Sequence, residues 1–339
     1  MNKIRIDELP WEEQRSPAGK FHSFYRNISV ALGGIRNAGT WGGGHPFDLQ
    51  LRRIPPGASV CPFHSHLGQW ELFVVRSGDG TVRAGDETHP VKSGDVFVHP
   101  PGEPHQITNS GTADLEVFIV ADNPPLDACY YPDSDKWALR PPGKVFRLAE
   151  VGYFDGEEAP VAGAPPYRPS AVPPLPPAPP FAQRKRHPDD LPWETWQSPK
   201  GKYRESFKDL SGALGDVLNG WPRSGHPFNL TLSRVPPGHA VCPFHIHSTQ
   251  WELFIILGGT ATVRAGAETG SVQAGEVVLH PPGEPHQIIN TGTAELEFYL
   301  IADNPPVDYW HYPDSGKWGL REPRKFFRMT ETDYYDGEE

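Results

Sequence analysis

The chain is poor in cysteine, in positive charge and in long apolar runs, and each shortage argues against a class of protein. Its 339 residues include 31 Lys and Arg against 42 Asp and Glu, a formal net charge of −11, which argues against a nucleic-acid surface. Three cysteines, of which two occupy matching places in a repeat, do not suggest a disulfide framework. No window approaches the ~20 apolar residues of a membrane helix, and residues 1–7 resemble no signal peptide. We expect a cytoplasmic protein with neither a nucleic-acid nor a membrane partner.

Proline and glycine, by contrast, are abundant. The 40 prolines and 35 glycines divide the chain into short segments, few of which show the apolar spacing of a helix. Short runs rich in β-branched and aromatic residues lie between turn residues, a pattern that predicts an all-β sandwich or barrel. In the first half these runs cover residues 47–51, 70–75, 80–84, 95–98 and 115–120.

The sequence is duplicated. Residues 99–107 return unchanged as 280–288, an offset of 181 positions. Between the copies, residues 160–180 contain ten prolines, which can join neither a helix interior nor a central strand. We therefore predict an N-terminal domain with arm and tail at 1–158, a proline-rich linker at 159–186, and a C-terminal domain with arm and tail at 187–339. A linker of this length lets the two barrels pack together within the chain, with further oligomerisation left open. The basic run Arg184-Lys185-Arg186 is expected to be a solvated boundary.

Each copy carries three histidines and one glutamate in the same order. His64 and His66 have one residue between them, so on a strand both point to the same face. Glu71 returns on that face after a turn, and His105 arrives from a later hairpin. Three imidazoles and a carboxylate suit iron, manganese, nickel or zinc better than calcium or magnesium. We predict one divalent transition metal per domain, and the corresponding ligands of the second copy are His245, His247, Glu252 and His286.

Four further residues share the strand faces of the two glutamates. Gln69 and Gln250 precede the glutamates by two positions, where each amide would contact a bound ligand or fix the carboxylate. Phe73 and Phe254 follow them by two positions and form either an apolar floor beneath the metal or ordinary core. Trp70, like its counterpart in the second copy, alternates to the opposite face and is expected to pack between sheets or domains.

These spacings resemble the two signature motifs of the cupin superfamily. The first, G-x5-H-x-H-x3,4-E-x6-G, is matched from its first histidine by residues 64–78 and 245–259, with four residues before the glutamate. The chain departs from it at the start, since six residues rather than five separate Gly57 and Gly238 from that histidine. The second, G-x5-P-x-G-x2-H-x3-N, matches residues 94–109 and 275–290. The chain is therefore identified as resembling a two-domain cupin, or bicupin. The resemblance implies two double-stranded β-helix (jelly-roll) barrels joined by the linker.

The resemblance leaves several functions open. Cupins with this ligand set include dioxygenases, oxalate-degrading enzymes, isomerases, lyases and small-molecule binders. No additional side chain is clearly directed into the barrel as a general acid or base, unless Glu103 and Glu284 have that role, and this favours dioxygenase-like chemistry on a small oxygenated molecule. The alternatives are a redox-neutral isomerase, lyase or decarboxylase that uses the metal as a Lewis acid, and a non-catalytic binder. Oxalate decarboxylases typically place the glutamate three residues after the second histidine, whereas this chain has four.

Overall fold

A computed structural model describes residues 1–140, 143–149, 151, 178–215, 225–321 and 324–338. Most of the predicted linker lies outside these residues, and the predicted domain boundaries stay predictions. The described chain is nearly all β, with one short α-helix in each half, α1 (Ile28–Ala31) and α2 (Leu210–Ala213). Each helix follows an N-cap side chain, Asn27 or Asp209, which accepts a hydrogen bond from the backbone N–H three residues later.

The described residues of each half form fourteen strands. The strands of the first half are β1 (Asn2–Arg5), β2 (Glu12–Arg15), β3 (His22–Asn27), β4 (Phe47–Ile54), β5 (Ser65–His66), β6 (Glu71–Ser77), β7 (Asp79–Ala84), β8 (Glu87–Lys92), β9 (Val96–His99), β10 (His105–Thr108), β11 (Leu115–Asp122), β12 (Asp127–Tyr131), β13 (Lys136–Arg140) and β14 (Lys144–Phe146). Those of the second half are β15 (Lys185–Arg186), β16 (Glu194–Gln197), β17 (Arg204–Asp209), β18 (Phe228–Val235), β19 (Ile246–His247), β20 (Glu252–Gly258), β21 (Thr260–Ala265), β22 (Glu268–Gln273), β23 (Glu276–His280), β24 (His286–Ile289), β25 (Leu296–Asp303), β26 (Tyr309–Tyr312), β27 (Lys317–Leu320) and β28 (Lys325–Phe327).

Three antiparallel sheets build each half. In the first half their strand orders are β15-β9-β6-β11-β4-β3-β2, β10-β7-β8 and β14-β13-β12-β5. In the second they are β1-β23-β20-β25-β18-β17-β16, β22-β21-β24 and β19-β26-β27-β28. The seven-stranded and three-stranded sheets of the first half enclose one apolar core, to which Val75, Val82 and Ile107 belong. The predicted pair of jelly-roll barrels is confirmed, and each of the five predicted runs falls on a strand.

The two halves exchange their N-terminal arms. Strand β1 pairs with β23 of the second half, so that Asn2 lies opposite Leu279. Strand β15, from the second half, pairs with β9 of the first. Each arm therefore covers an edge of the other half's large sheet, where unpaired backbone groups would otherwise be exposed.

This exchange corrects one expectation. The run that begins at Arg184 was predicted to be solvated, yet Arg184 is only 3% exposed. Its guanidinium forms an ion pair with Glu103 and donates a hydrogen bond to the carbonyl of Val98. Phe181, three residues earlier, is buried in the core of the first barrel. The charges of residues 184–186 alone do not predict this burial, because Arg184 is covered by the first barrel, whose Glu103 lies some 80 residues earlier in the sequence.

The halves also share an apolar core between them. Strand alternation directs Phe47, Leu49 and Leu51 of β4 into this core, while the residues between them face the interior of the barrel. Trp70 packs against the shared core, and its ring lies 5.0 Å from that of His226 in the other half, as the alternation predicted. The matched contact joins His45 to Trp251 at 5.2 Å.

The motif glycine after β6 has a steric reason. Gly78 adopts φ 84°, a left-handed conformation that disfavours residues with a Cβ, and a Cβ there would meet the carbonyl oxygen of Asp114 at 2.5 Å. Gly259 repeats this with φ 79° and a distance of 2.5 Å to the carbonyl oxygen of Glu295. The glycine thus permits the tight turn into the next strand, β7 or β21.

Candidate metal centres

Strands from different sheets bring the first set of predicted ligands together. His66 lies on β5, Glu71 begins β6 and His105 begins β10. His64 pairs with His105 in an isolated antiparallel bridge, in which His105 N–H donates to the carbonyl of His64 at 2.7 Å. Nε2 of His64 lies 3.1 Å from Nε2 of His66, and Nε2 of His105 lies 2.8 Å from Oε2 of Glu71. Ligand atoms of His64, His66 and Glu71 all lie within 4.8 Å of one another, and His105 adjoins this group through Glu71.

The second cluster is the more compact of the two. All four of its candidate ligand atoms lie within 4.8 Å of one another. Nε2 of His245 and Nε2 of His247 are 3.0 Å apart, and Nε2 of His286 is 2.9 Å from Oε2 of Glu252. His247 Nε2 also lies 3.5 Å from Oε1 of Glu252.

Hydrogen bonds on the far side of each ring indicate which nitrogen faces the centre. Nδ1 of His64 lies 3.0 Å from the carbonyl oxygen of Pro62, and Nδ1 of His105 lies 3.0 Å from that of Glu103. Because a carbonyl oxygen only accepts, these Nδ1 atoms carry the proton. Nε2 of His64 and Nε2 of His105 then direct lone pairs toward the centre, and Nε2 of His66 lies 3.1 Å from that of His64. Ring nitrogens that meet this closely share a cation, which is either a proton or a metal ion.

The charges of the clusters also favour a cation. Burial lowers the pKa of His66, but hydrogen bonding to Asp127 and the charge of Glu71 outweigh it and raise that pKa to about 9. Burial disfavours the ionised form of Glu71, yet the surrounding histidines hold the pKa of its carboxyl well below the usual range. In the second half, burial lowers the pKa of His245 to about 3, which leaves that ring neutral. Each cluster thus offers an ionised carboxylate and imidazole rings, and His66 binds a metal once its second proton has been released.

Two aspartates that sequence reasoning missed hold the second histidine of each cluster. Oδ2 of Asp127 lies 2.7 Å from Nδ1 of His66, and Oδ2 of Asp308 lies 2.6 Å from Nδ1 of His247. Burial raises the pKa of each aspartate, but the histidine outweighs it and lowers the pKa to about 2. A carboxylate behind a histidine ligand fixes the tautomer and raises the basicity of the ring. The signal in the sequence was the repeated Asn-Pro-Pro-x-Asp at 123–127 and 304–308.

The structure places the predicted neighbours of the ligands on the cavity walls. Gln69 lines the first cavity and Gln250 the second, and each amide Nε2 donates to a backbone carbonyl, that of Asp122 or Asp303, at 2.6 Å. The glutamine side chains are therefore fixed by the barrel. Phe73 and Phe254 line the first and the second cavity and are also buried in the cores of their barrels. Each phenylalanine is therefore both an apolar part of the cavity wall and a core residue.

Glu103 and Glu284 lie outside both cavity walls within the described residues. Oε2 of Glu103 is 2.7 Å from Nδ1 of His99, and Oε1 of Glu284 is 2.6 Å from Nδ1 of His280. His99 in turn stacks on the ring of His105, with centroids 4.1 Å apart. This arrangement supports a ligand ring from behind, which favours a positioning role for both glutamates over proton transfer to a substrate.

Each cluster opens into its own cavity. The first has a volume of about 240 Å3 and is lined by Gln50, Arg36, Arg52, Arg140 and the cluster itself. Tyr131 also lines it, at 5.9 Å between its ring centroid and that of His64. The second has a volume of about 560 Å3. The two ligand sets therefore face separate cavities whose walls differ.

A family model described as "Cupin domain" matches residues 50–121 and 231–302. Among curated proteins, the chain is 38% identical over 68 residues to the "Oxalate-binding protein" of Thermotoga maritima, covering 20% of this chain and 55% of that protein. It is 30% identical over 118 residues to "Auxin-binding protein 1" of Arabidopsis thaliana, covering 32% of this chain and 56% of that protein. The matches thus span about half the length of these relatives.

Solved structures agree on the fold. A Bacillus subtilis oxalate decarboxylase variant superimposes with a TM-score of 0.52 at 18% identity, covering 90% of this chain and 77% of that one. The Lactobacillus farciminis oxalate decarboxylase formate complex gives 0.53 at 17% identity, covering 90% and 86%. Identities this low bear on the fold alone. Within the described residues, no helix is long and apolar enough to span a membrane. The repeated domain match, the doubled barrel and the two His/Glu clusters together show that the chain belongs to the cupin superfamily as a two-domain protein.

Proposed function

We propose that this bicupin is a metal-dependent, redox-neutral lyase of the decarboxylase type whose substrate is a small carboxylate. The observation that carries the proposal is a cationic cavity beside the first cluster. Arg52 lines that cavity and is only 7% exposed, and its guanidinium donates hydrogen bonds to the neutral side chains of Gln14 and Ser23. A buried guanidinium without a counter-ion is costly, and an anionic ligand in the cavity removes that cost.

The proposed metal ligands are the predicted eight, four in each half. Their Nε2 lone pairs and ionised carboxylates fit a divalent transition metal with one or two open positions. A metal bound there supplies Lewis-acid chemistry, which polarises the oxygen of a bound carboxylate or carbonyl. The ligand set fits iron, manganese, nickel and zinc alike, so elemental analysis is needed to identify the metal.

Residues of the chain supply the remaining functions in the first cavity. Arg52 binds and orients the substrate carboxylate, because guanidinium groups match carboxylates in shape and charge. Phe73 and Ile119 line the cavity with apolar surface and limit water. Burial raises the pKa of Tyr131 to about 12, so its hydroxyl keeps its proton. When a C–C bond breaks and CO2 leaves, the electron pair stays on the remaining carbon, and the Tyr131 hydroxyl lines the cavity as a proton donor for that carbon.

The relatives support a carboxylate more than an oxygenase. The curated relative with 38% identity is named for oxalate, whereas the dioxygenase-like chemistry favoured by the sequence finds no counterpart in the names reported above. A cationic cavity beside the proposed metal supports a carboxylate ligand, and the metal's Lewis-acid chemistry supports the lyase. The oxalate decarboxylases share the fold at 18% identity or less and add no more than that.

A second candidate function is binding without turnover. The name of the Thermotoga maritima relative describes binding only, and the same cavity would hold an anion whether or not a bond breaks.

The test is to incubate the metal-loaded protein with oxalate, malonate and 2-oxo acids while recording CO2 release, O2 consumption and heat of binding. CO2 release without O2 uptake is expected. Stoichiometric O2 uptake would favour the dioxygenase, and binding heat without product would favour the binder.

A further inference from the structure

A further cavity, here called the side cavity, adjoins the metal cavity of the first barrel. Its volume is about 260 Å3, and three side chains, those of Asn37, Gln69 and Arg140, line both this cavity and the metal cavity. These three side chains therefore form the boundary between the two spaces. The other residues that line the side cavity are Trp41, Asn123, Pro124, Pro125, Asp127 and Gly143.

One contact in this boundary is weak. The amide of Gln69 is held firmly, because it donates a hydrogen bond to the carbonyl of Asp122 at 2.6 Å. Nη1 of Arg140, by contrast, lies 3.5 Å from Oδ1 of Asn37, which is longer than an ordinary hydrogen bond, and this contact is exposed. A ligand that extends from the metal cavity into the side cavity therefore separates the boundary most easily between Arg140 and Asn37.

Trp41 gives the side cavity an aromatic wall. The residue is 57% exposed, and its indole lies against Gly39, where a Cβ would be 2.7 Å from the indole Nε1. The same Cβ would be 2.8 Å from the carbonyl oxygen of Asn123, so glycine at position 39 permits the loop at 35–44 to approach the segment at 123–125. The backbone N–H of Asn37 fixes this loop further by donating to Oδ2 of Asp48 at 2.8 Å. The indole thus presents an open apolar face that a ligand can cover.

The size and the charge of the side cavity suit an uncharged aromatic ring. An apolar cavity of about 150 Å3 holds benzene, so about 260 Å3 leaves room for a substituted ring. Arg140 and Asp127 contribute charges of opposite sign to the side cavity. Outside the cluster, the described residues that line the metal cavity include three arginines, Arg36, Arg52 and Arg140, and one carboxylate, that of Asp48. A carboxylate is therefore favoured in the metal cavity, and a neutral apolar group in the side cavity.

We infer that the substrate of the first barrel is a carboxylate that carries an aromatic group, with the carboxylate in the metal cavity and the ring against Trp41 in the side cavity. The inference rests on the proposed function and names its substrate class. Trp41 is then a residue that determines specificity, because it contacts the part of the substrate that does not react. The inference concerns the first barrel, since residues 216–224, which correspond to most of the Trp41 loop, lie outside the described residues.

The test compares the binding of pyruvate and phenylpyruvate to the full-length, metal-loaded protein by calorimetry. The two molecules share the 2-oxo carboxylate and differ only in the phenyl group. Phenylpyruvate is expected to bind the wild type roughly tenfold more tightly, because stacking on the indole adds to the burial of the ring. Trp41→Ala should remove most of that preference and leave the affinity for pyruvate unchanged, whereas Trp41→Phe should keep part of the preference. The matched control is Phe146→Ala, which removes an exposed ring from β14 outside both cavities and should change neither affinity.

Metal content and melting temperature equal to those of the wild type would show that the Trp41 variants are folded. Equal affinities of the wild type for the two ligands, an equal loss of both affinities in Trp41→Ala, or an unchanged preference in that variant would each overturn the inference. Failure of the proposed function looks different: phenylpyruvate would bind with the preference that depends on Trp41, while no CO2 is released from it.

Discussion

The two halves hold the same four ligand types at the same spacing, yet the residues around those ligands differ. Behind the first cluster, Arg184 from the exchanged arm forms an ion pair with Glu103. The residue that aligns with Arg184 in the other exchanged arm is Asn2, whose side chain donates a hydrogen bond to the carbonyl of Leu32 at 2.7 Å. Glu284, the counterpart of Glu103, contacts His280. The duplication has therefore kept what a metal requires and changed what a ligand or a neighbouring domain contacts. Matched substitutions in the two halves therefore separate the residues that bind the metal from those that contact a ligand or the other half.

The largest difference is expected when one carboxylate ligand is removed from each half. Glu71→Ala and Glu252→Ala should each lower the metal content from two ions per chain to one. Turnover of the carboxylate should fall by roughly 1000-fold or more in Glu71→Ala, because Lewis-acid assistance contributes several kcal/mol. Glu252→Ala should cost far less activity. Elemental analysis and CO2 release measure the two effects. Retention of both metals in either variant would refute the ligand assignment.

The buried ion pair of the exchanged arm should give the next largest effect. Arg184→Met leaves Glu103 buried without its cation, which should lower the free energy of unfolding by about 3–5 kcal/mol. The matched change in the other arm, Asn2→Ala, removes a single neutral hydrogen bond and should cost only about 0.5–1.5 kcal/mol. Urea denaturation of both metal-loaded variants measures the difference. Equal losses of unfolding free energy in the two variants would show that the Arg184–Glu103 ion pair stabilises the protein no more than the Asn2–Leu32 hydrogen bond.

Much of this architecture could be predicted from the sequence, and the exceptions share a physical cause. The ligands could be predicted because a strand places alternate residues on one face, and His64 and His66 need no distant information. The contact of Asp127 with His66 could not, even though a repeated motif marks the aspartate, since the two meet only through the pairing of β12 with β5, across 61 residues. Arg184 could not, because its burial depends on the arm exchange. Where a side chain's partner is set by closure of the barrel or by the other half, local spacing does not identify that partner.

A smaller effect should follow when the carboxylates behind the ligands are neutralised. Asp127→Asn and Asp308→Asn should each weaken the binding of the adjacent metal by roughly 10–100-fold, since the histidine loses its charged partner. Competition with a chelator of known affinity measures this for each site.

The same two aspartates should differ in stability when each is replaced by alanine, which removes both carboxylate oxygens. Oδ1 of Asp308 accepts hydrogen bonds from the backbone N–H groups of Ser248 and Thr249, each at 3.0 Å, and from Oγ of Ser248. Oδ1 of Asp127 accepts one, from Gly68 N at 3.0 Å. Asp308→Ala should therefore melt at a lower temperature than Asp127→Ala, because it removes more of these hydrogen bonds. The reverse order would show that these loop contacts do not stabilise the second site.

The smallest expected difference concerns acid stability at the contact between the halves. Burial, together with the charge of Arg184, lowers the pKa of His226 to about 4. Burial also lowers the pKa of His45, but Asp48 opposes that shift, and the residue that aligns with Asp48 in the second half is Asn229. Acid sensitivity should therefore come more from His226 than from His45.

The direction follows from which state binds the proton. An unfolded histidine takes up a proton below about pH 6.5, whereas folded His226 resists it until about pH 4, so stability falls as the pH drops through that interval. Between pH 7 and pH 5 the loss from this group is about 2 kcal/mol. His226→Gln should remove that part of the loss, and His45→Gln should remove less. Urea denaturation at both pH values compares the two variants with the wild type. Equal pH dependence in the two variants would show that the exchange of Asp48 for Asn229 does not distinguish the two sides of the contact.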